Sequence, residues 1–318
     1  MDRKHKILGP SVLLITAILW GITFVVQRYG SDYVDAYTYN AIRFLISGVI
    51  MAIIYYVSNR IRCKKMDEDE LKKFKEECKK LNRNKKFIIS SILIGVFLFL
   101  GSSFQQLGIQ LTKNASKVGF ISTTYIVLVP IVCLIFFKDK IKLIIWLYLL
   151  VALVGFFLIS IKNDFKIVPG DFITLLAAIS YAFQISIIGK VGKDLNVIYL
   201  SMIQFLIVGV LSLICMFIFD DLENTSIVKA MPSIVFAAIF SGCIAFTLQI
   251  YGQRYTPPTL ATLLMSLESV FSLIFSMIIL SERLTLREGV GCLLIFVSVI
   301  LAQIDFKEIR RKKKYAIT

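Results

Sequence analysis

The chain has 318 residues, 57% of them hydrophobic, and a mean hydropathy of +0.79. A water-soluble domain of this length could not bury so much apolar side chain, so the composition excludes an ordinary soluble enzyme, a disordered chain and a collagen-like chain. The net charge is +15, but the charged residues are concentrated in short blocks between long apolar runs.

Ten apolar runs follow one another along the chain, each long enough to cross about 30 Å of hydrocarbon as a helix. They are too long for the strands of a membrane barrel, and backbone groups in lipid must be paired internally. We therefore predict an all-α integral membrane protein with ten transmembrane helices. The predicted spans are 8–27, 38–57, 87–108, 115–136, 142–161, 171–189, 197–219, 231–252, 258–280 and 287–304.

The segment 58–86, between the second and third spans, carries 12 basic and 6 acidic residues. Within it, Met66–Leu81 is predicted to form a short helix, because Glu and Lys recur four residues apart in the favourable order. Its apolar residues fall on one face. Such a helix could lie on an anionic leaflet or be a solvated loop helix with a few apolar contacts.

The distribution of Lys and Arg predicts the orientation. The alternate loops that include both termini and the 58–86 loop hold 27 of the 36 basic residues, and the other loops hold 8. Basic loops stay on the cytoplasmic side, so both termini are expected in the cytoplasm and the chain in a plasma (inner) membrane. The basic charge is then a topology signal, which predicts a lipid bilayer and no nucleic acid as partner.

The chain contains a weak internal repeat. A shift of 161 residues aligns Arg43–Val49 with Gln204–Val210, with five of seven positions identical. After the second span the shift becomes 143, because the following loop is 18 residues longer in the first half. We predict two halves, 1–161 and 162–318. Five spans per half would make the second half inverted, an architecture of transporters that also occurs in channels.

Three segments resemble the EamA type of the drug/metabolite transporter superfamily. Ala17–Phe24 is similar to the Trp-Gly segment of that family's first helix, Arg43–Gly48 to its second-helix Arg-Phe pattern, and Ser281–Thr285 to its Gly-Glu-Arg-Leu-Thr segment. The resemblance covers nearly the whole chain and implies a ten-helix carrier with cytoplasmic termini. Relatives export amino acids, metabolites or drugs, and some import nutrients. Lys138–Lys142 departs from the family pattern, and the substrate stays open.

Glu268 lies near the middle of the ninth span. A charge at this depth is costly, and a carboxyl group reduces the cost by binding a proton. Glu268 is therefore our candidate for proton coupling. In the alternative interpretation it is a structural partner of Arg43 or of nearby serine hydroxyls. Its repeat counterpart is Tyr125, so only one half carries the acid.

Arg43 lies about a third of the way into the second span and keeps its charge. It could hold a substrate carboxylate, or it could anchor the end of the span by reaching towards the headgroups. Its repeat counterpart is Gln204, which keeps hydrogen-bonding capacity without the charge.

Further polar and aromatic side chains lie within the spans. Trp20 and its counterpart Tyr181 are placed mid-span, where lining a pocket or packing between helices would explain them. Thr23 and Gln184 follow three residues later on the same face. Five glutamines near one end of the third and eighth spans are candidates for cavity lining or for capping at the interface. They are Gln105, Gln106, Gln110, Gln249 and Gln253.

The sequence lacks the residues that metal binding, zinc chemistry or nucleotide hydrolysis would need. The single histidine is His5, the six cysteines lack zinc-ligand spacing, and no nucleotide-binding loop is present, so we expect no metal, no cofactor and no ATP-driven pump. We predict a secondary transporter, not an enzyme, that exports amino acids or small amphipathic metabolites or drugs by alternating access. The alternatives are an uptake carrier for a nutrient or vitamin, and a membrane-embedded lipid enzyme, which would need a cluster of acids or histidines.

Overall fold

A computed structural model describes residues 3–112, 115–160, 168–192, 196–223, 226–280 and 285–315. All regular secondary structure within these ranges is helical. The same ranges contain nine helical spans long and apolar enough to cross a membrane, and a shorter apolar helix, Leu143–Ile159. The prediction of an all-α, ten-helix membrane fold is confirmed. The motif Ser281–Leu284 and the predicted boundary between residues 161 and 162 lie outside the described residues.

The first half contains five spans and the helix of the basic loop. This loop helix begins and ends two residues later than predicted, and the Asp67 carboxylate caps it by accepting from the Glu70 N–H at 2.7 Å. The fourth span is divided into two helices. The helices are α1 (Arg3–Gly30), α2 (Ala36–Lys64), α3 (Glu68–Arg83), α4 (Lys85–Thr112), α5 (Ala115–Thr123), α6 (Tyr125–Phe137) and α7 (Leu143–Ser160).

The second half begins its helices with recognisable signals. Asn196 caps the helix that follows it by accepting from the Tyr199 N–H at 3.1 Å, and Pro258 opens the ninth span, as the sequence predicts. The eighth span contains a π-helical segment, Ala237–Phe246, between α10 and α11. The helices are α8 (Pro169–Val191), α9 (Val197–Phe219), α10 (Ile227–Phe236), α11 (Thr247–Gln253), α12 (Pro258–Met265), α13 (Glu268–Leu280) and α14 (Leu286–Tyr315).

The fourth and ninth spans are both interrupted near their middle. In the fourth span the break lies at Thr124, so that α6 begins at Tyr125. In the ninth span α12 ends at Met265 and α13 begins at Glu268. Tyr125 and Glu268 are counterparts under the shift of 143 residues. Each is therefore the first residue after a break, which is where discontinuous helices of transporters place binding groups.

Helices of the first half pack mainly against helices of the second. The main pairs are α2 with α9, α4 with α8, α7 with α14 and α1 with α13. Phe44 and its repeat counterpart Phe205 form a buried aromatic cluster with Phe246, with ring centroids 6.0–6.1 Å apart. The hydrophobic core therefore lies between the halves.

Two glycines allow α7 and α14 to approach closely. A Cβ added to Gly155 would lie 2.7 Å from the carbonyl oxygen of Gly291, and one added to Gly291 would lie 2.6 Å from the carbonyl oxygen of Gly155. Backbone atoms cannot rotate away as a side chain can. The contact therefore requires glycine on both helices, as at many membrane helix interfaces.

We expect Gly155→Leu to force α7 and α14 apart and to lower the free energy of unfolding by about 1–3 kcal/mol, the usual cost of overpacking. Thermal unfolding of the purified protein in detergent measures this. The control is Gly119→Ala, because no atom lies within 4 Å of a Cβ added there and alanine favours the helix. Equal melting temperatures for Gly155→Leu and the wild type would contradict the packing argument.

Candidate functional site

A cavity lies between the two halves and contains about 450 Å³ of space between protein atoms, including the part open at its mouth. Spans from both halves contribute to its wall. The π-helical segment and the breaks in the fourth and ninth spans border it. The lining side chains are Trp20, Phe24, Arg43, Gln105, Tyr125, Tyr181, Gln184, Ile185, Ser241, Phe246, Gln249 and Glu268.

Arg43 supplies the positive charge of this cavity. Its side chain is only 3% exposed, so it stays inside the protein and does not reach towards the headgroups. An Nη2–H donates to the Ser241 Oγ at 2.7 Å, and the guanidinium carbon lies 4.7 Å from the centroid of the Phe44 ring. The Nε–H has no hydrogen-bond partner among the residues that the structure describes. The guanidinium therefore keeps donor capacity for a ligand.

Glu268 supplies the acidic group and is 4% exposed. Its Oε1 accepts a hydrogen bond from the Tyr125 hydroxyl at 3.2 Å, so the two repeat counterparts are in contact. The ion pairs found among the described residues do not include Arg43 with Glu268. Among the described residues, Glu268 therefore does not form the ion pair with Arg43 that the alternative interpretation of the sequence proposed. Both groups face one cavity, and each is available to a third group.

Aromatic rings form much of the remaining wall. Trp20 packs edge-on against Phe246, with centroids 4.9 Å apart, and its Nε1–H has no hydrogen-bond partner. Tyr181 packs edge-on against Tyr125 at 6.5 Å, and its hydroxyl donates to the Gln105 Oε1 at 3.1 Å. The mid-span aromatics therefore border the cavity, and the indole N–H is a free donor there.

Two glutamines contribute a hydrogen-bonding pair. The Gln249 Nε2–H donates to the Gln184 Oε1 at 3.2 Å, which leaves the Gln184 Nε2 and the Gln249 Oε1 without partners. Amide orientations are assigned from the hydrogen-bond network. Turning both amides over would exchange the roles of the residues, and one donor and one acceptor would still remain free. The pair can therefore bind a polar group in either orientation.

The structure brings together seven of the side chains that the sequence analysis selected. They are Trp20, Arg43, Gln105, Tyr181, Gln184, Gln249 and Glu268. Four others do not line this cavity: Thr23, Gln106 and Gln253, which are buried, and Gln110, which is half-buried.

These four side chains have other contacts. The Thr23 hydroxyl donates to the Leu19 carbonyl at 2.6 Å, and the Gln253 amide donates to the Ile185 carbonyl at 3.0 Å. Gln110 accepts from the Ala36 N–H at 3.2 Å, so it meets the beginning of α2. The sequence left two roles open for these glutamines, cavity lining and capping. Gln249 lines the cavity, and Gln110 caps the beginning of α2.

Several lining residues escaped the sequence analysis. Tyr125 had a signal, because it is the repeat counterpart of Glu268. Ser241 and Phe246 had none, because they lie in a continuous apolar run and the π-helical segment changes which residues share a face.

Acidic side chains accept hydrogen bonds at one end of the helix bundle. We name this end the Asp35 end. The Asp220 carboxylate accepts from the Thr38 N–H at 2.5 Å and from its hydroxyl at 2.7 Å, and Asp35 accepts from the Gln110 amide and from the Asp221 N–H. Partial burial and the nearby Asp35 raise the pKa of the Asp220 carboxyl, against the lowering effect of the Thr38 hydrogen bonds. These contacts join α2, α4 and the end of α9, so they tie the halves together here.

We expect Ser241→Ala to lower the free energy of unfolding by about 1.5–3 kcal/mol, because it removes a hydrogen bond to a buried charge. Thermal unfolding in detergent measures this. The control is Ser212→Ala, since the Ser212 hydroxyl is equally buried and has no hydrogen-bond partner. Equal effects of the two substitutions would show that Ser241 does not hold the guanidinium.

Comparison with known proteins agrees with this architecture. An uncharacterized transporter of Archaeoglobus fulgidus is 30% identical over 306 residues, which cover 96% of this chain and 87% of that protein. An uncharacterized transporter of Haemophilus influenzae is 24% identical over 321 residues, covering 95% and 97%. A solved crystal structure with 16% identity superposes with a TM-score of 0.71 over 97% of this chain and 99% of its own, which shows a shared fold.

The EamA-like transporter family matches this chain over residues 7–161 and again over residues 168–303. Together the two matches include the breaks, the π-helical segment and every residue of the cavity. The chain belongs to the EamA-like transporter family.

Proposed function

We propose that the protein is a secondary transporter that exports a small zwitterionic solute of the amino-acid type in exchange for protons. One observation carries this proposal: Arg43 and Glu268 face the same buried cavity without pairing with each other. Each charge is costly at membrane depth. A solute that carries one negative and one positive group would compensate both at once.

The positive side of the cavity fits a carboxylate. The Arg43 guanidinium is held by Ser241 and still has a free Nε–H, and charge-assisted hydrogen bonds from arginine are among the strongest in proteins. The free Trp20 indole N–H adds a donor.

The opposite end of the solute, an ammonium group, fits the acidic and aromatic side. Ionised Glu268 would pair with it, and the faces of Tyr125 and Tyr181 attract cations. The apolar part of the solute would then contact the rings of Trp20 and Phe246. Small amphipathic amino acids combine these three features.

The proposed direction follows from competition at Glu268. A carboxyl group that holds a proton cannot pair with an ammonium group, so proton binding and solute binding exclude each other. A membrane that maintains an inward proton gradient then drives the solute outwards by exchange. The two broken spans and the packing of one half against the other supply the parts that alternating access needs.

We expect a pH gradient across proteoliposomes to drive amino-acid flux in the wild type and not in Glu268→Gln, because the amide cannot carry a proton. The assay loads vesicles with a panel of aliphatic and aromatic amino acids and measures efflux and uptake. The control is Glu288→Gln, since Glu288 caps the Thr285 N–H at 2.8 Å and lies outside the cavity. Gradient-driven flux of equal size in Glu268→Gln would remove its coupling role, and uptake driven by cotransport with protons would reverse the direction.

We expect Arg43→Gln to fold, because its repeat counterpart Gln204 carries the same side chain at 0% exposure. The affinity for the transported amino acid should fall about 10- to 100-fold, the cost of losing a hydrogen bond to a charge. The affinity for the corresponding decarboxylated amine should not change. Loss of the variant from the membrane would assign Arg43 a structural role, and equal losses for both ligands would contradict a carboxylate contact.

A further inference from the structure

A second group of buried polar side chains lies beside the cavity, towards the Asp35 end. It consists of Gln27 on α1, Asn40 on α2, and Ser103 and Gln106 on α4, and we name it the α1–α2–α4 cluster. None of the four is more than 5% exposed, and none lines the cavity. The mechanism proposed above does not use them.

The cluster contains polar atoms whose hydrogen-bonding capacity is not used. The Gln27 Nε2–H donates to the Gln106 Oε1 at 3.2 Å, and the Asn40 amide donates to the Ser102 carbonyl at 3.0 Å. Within the described part of the chain, the Gln106 Nε2, the Asn40 Oδ1 and the Ser103 Oγ have no hydrogen-bond partner. Unpaired polar atoms are costly in a membrane interior, where no bulk water can reach them. They offer a donor, an acceptor and a hydroxyl to a polar ligand.

Helix geometry makes the cluster continuous with the cavity. On α1, Gln27 follows the cavity residue Phe24 by three positions, and on α2, Asn40 precedes the cavity residue Arg43 by three positions. Residues three positions apart lie on one helix face, one turn from each other. On both helices the cluster is therefore the next turn beyond the cavity wall, in the direction of the Asp35 end.

Two of these four positions are apolar in the other half, so the repeated fold does not require a polar residue at either of them. The repeat counterpart of Gln27 is Ile188, and that of Ser103 is Phe246. Ile188 is part of an apolar core cluster. The counterparts of Asn40 and Gln106 are the polar residues Ser201 and Gln249, so Gln27 and Ser103 are the polar positions that distinguish this side of the cavity.

We propose that the α1–α2–α4 cluster is a second solute-binding site, which takes the polar groups of the same amino-acid-type solute between the cavity and the Asp35 end. This rests on the transport function proposed above. In the present structure the Gln27–Gln106 hydrogen bond closes the site. When this hydrogen bond opens, the amide, carbonyl and hydroxyl groups of the cluster bind the polar groups of the solute.

The first test measures access of water to the cluster. Ser103→Cys is a nearly isosteric change, and the protein in proteoliposomes is treated with a membrane-impermeant maleimide, followed by mass spectrometry of the modified peptide to separate it from native cysteines. The matched control is Ser212→Cys, because Ser212 is also buried with an unpartnered hydroxyl but lies on α9, away from the cluster. We expect Ser103→Cys to react at least about tenfold faster, as expected if its site opens to water and the control site does not.

The second test measures turnover. Gln106→Leu should reduce the maximal rate of L-leucine or L-phenylalanine flux about tenfold, the effect of one lost hydrogen bond. The affinity of the cavity, read from Trp20 fluorescence in a Trp146→Phe background, should not change. If Gln106→Leu does not fold, Asn40→Ala replaces it.

The outcomes separate the two proposals. An inert Ser103→Cys, or labelling together with a wild-type rate for Gln106→Leu, overturns the second site and leaves the transport function intact. If Ser103→Cys is labelled but the wild-type protein moves no amino acid, the path is hydrated and the proposed function is overturned instead. Slow flux together with labelling supports the second site.

Discussion

The structure depends on one constraint: in the membrane interior no water is available to solvate a charge or complete a hydrogen bond. Arg43 and Glu268 are buried under this constraint, and they do not neutralise each other. Ser241 and Tyr125 each contribute one hydrogen bond, which is less than an isolated charge in lipid needs. In the proposed function, a proton or a solute in the cavity between them supplies the remaining compensation.

Both halves contribute to this cavity. Breaks in the fourth and ninth spans bring the counterparts Tyr125 and Glu268 into contact, while Trp20 and Tyr181, another counterpart pair, border the same cavity. The charges, however, are not symmetric, because Arg43 corresponds to Gln204 and Glu268 to Tyr125. The two halves therefore place different charges at corresponding positions. In the proposed function, this asymmetry orients the solute while the two halves move between related states.

Much of this could be predicted from the sequence. Apolar length alone identified the helices, because spanning a bilayer leaves few other solutions, and the cost of buried charge identified Arg43 and Glu268. The lining role of Ser241 and Phe246 could not be predicted, since the π-helical segment alters the face on which they lie. Gln106 and Gln253 were selected by polarity, but polarity does not say on which side of a helix a neighbour packs.

The most direct measurement is the number of protons released when the transported amino acid binds to the purified protein, obtained by calorimetry in buffers of different ionisation enthalpy. If the proton and the solute compete for Glu268, binding at a pH where this carboxyl is protonated releases a proton in the wild type and none in Glu268→Gln. Binding without proton release in the wild type, or equal release in the variant, would contradict the account.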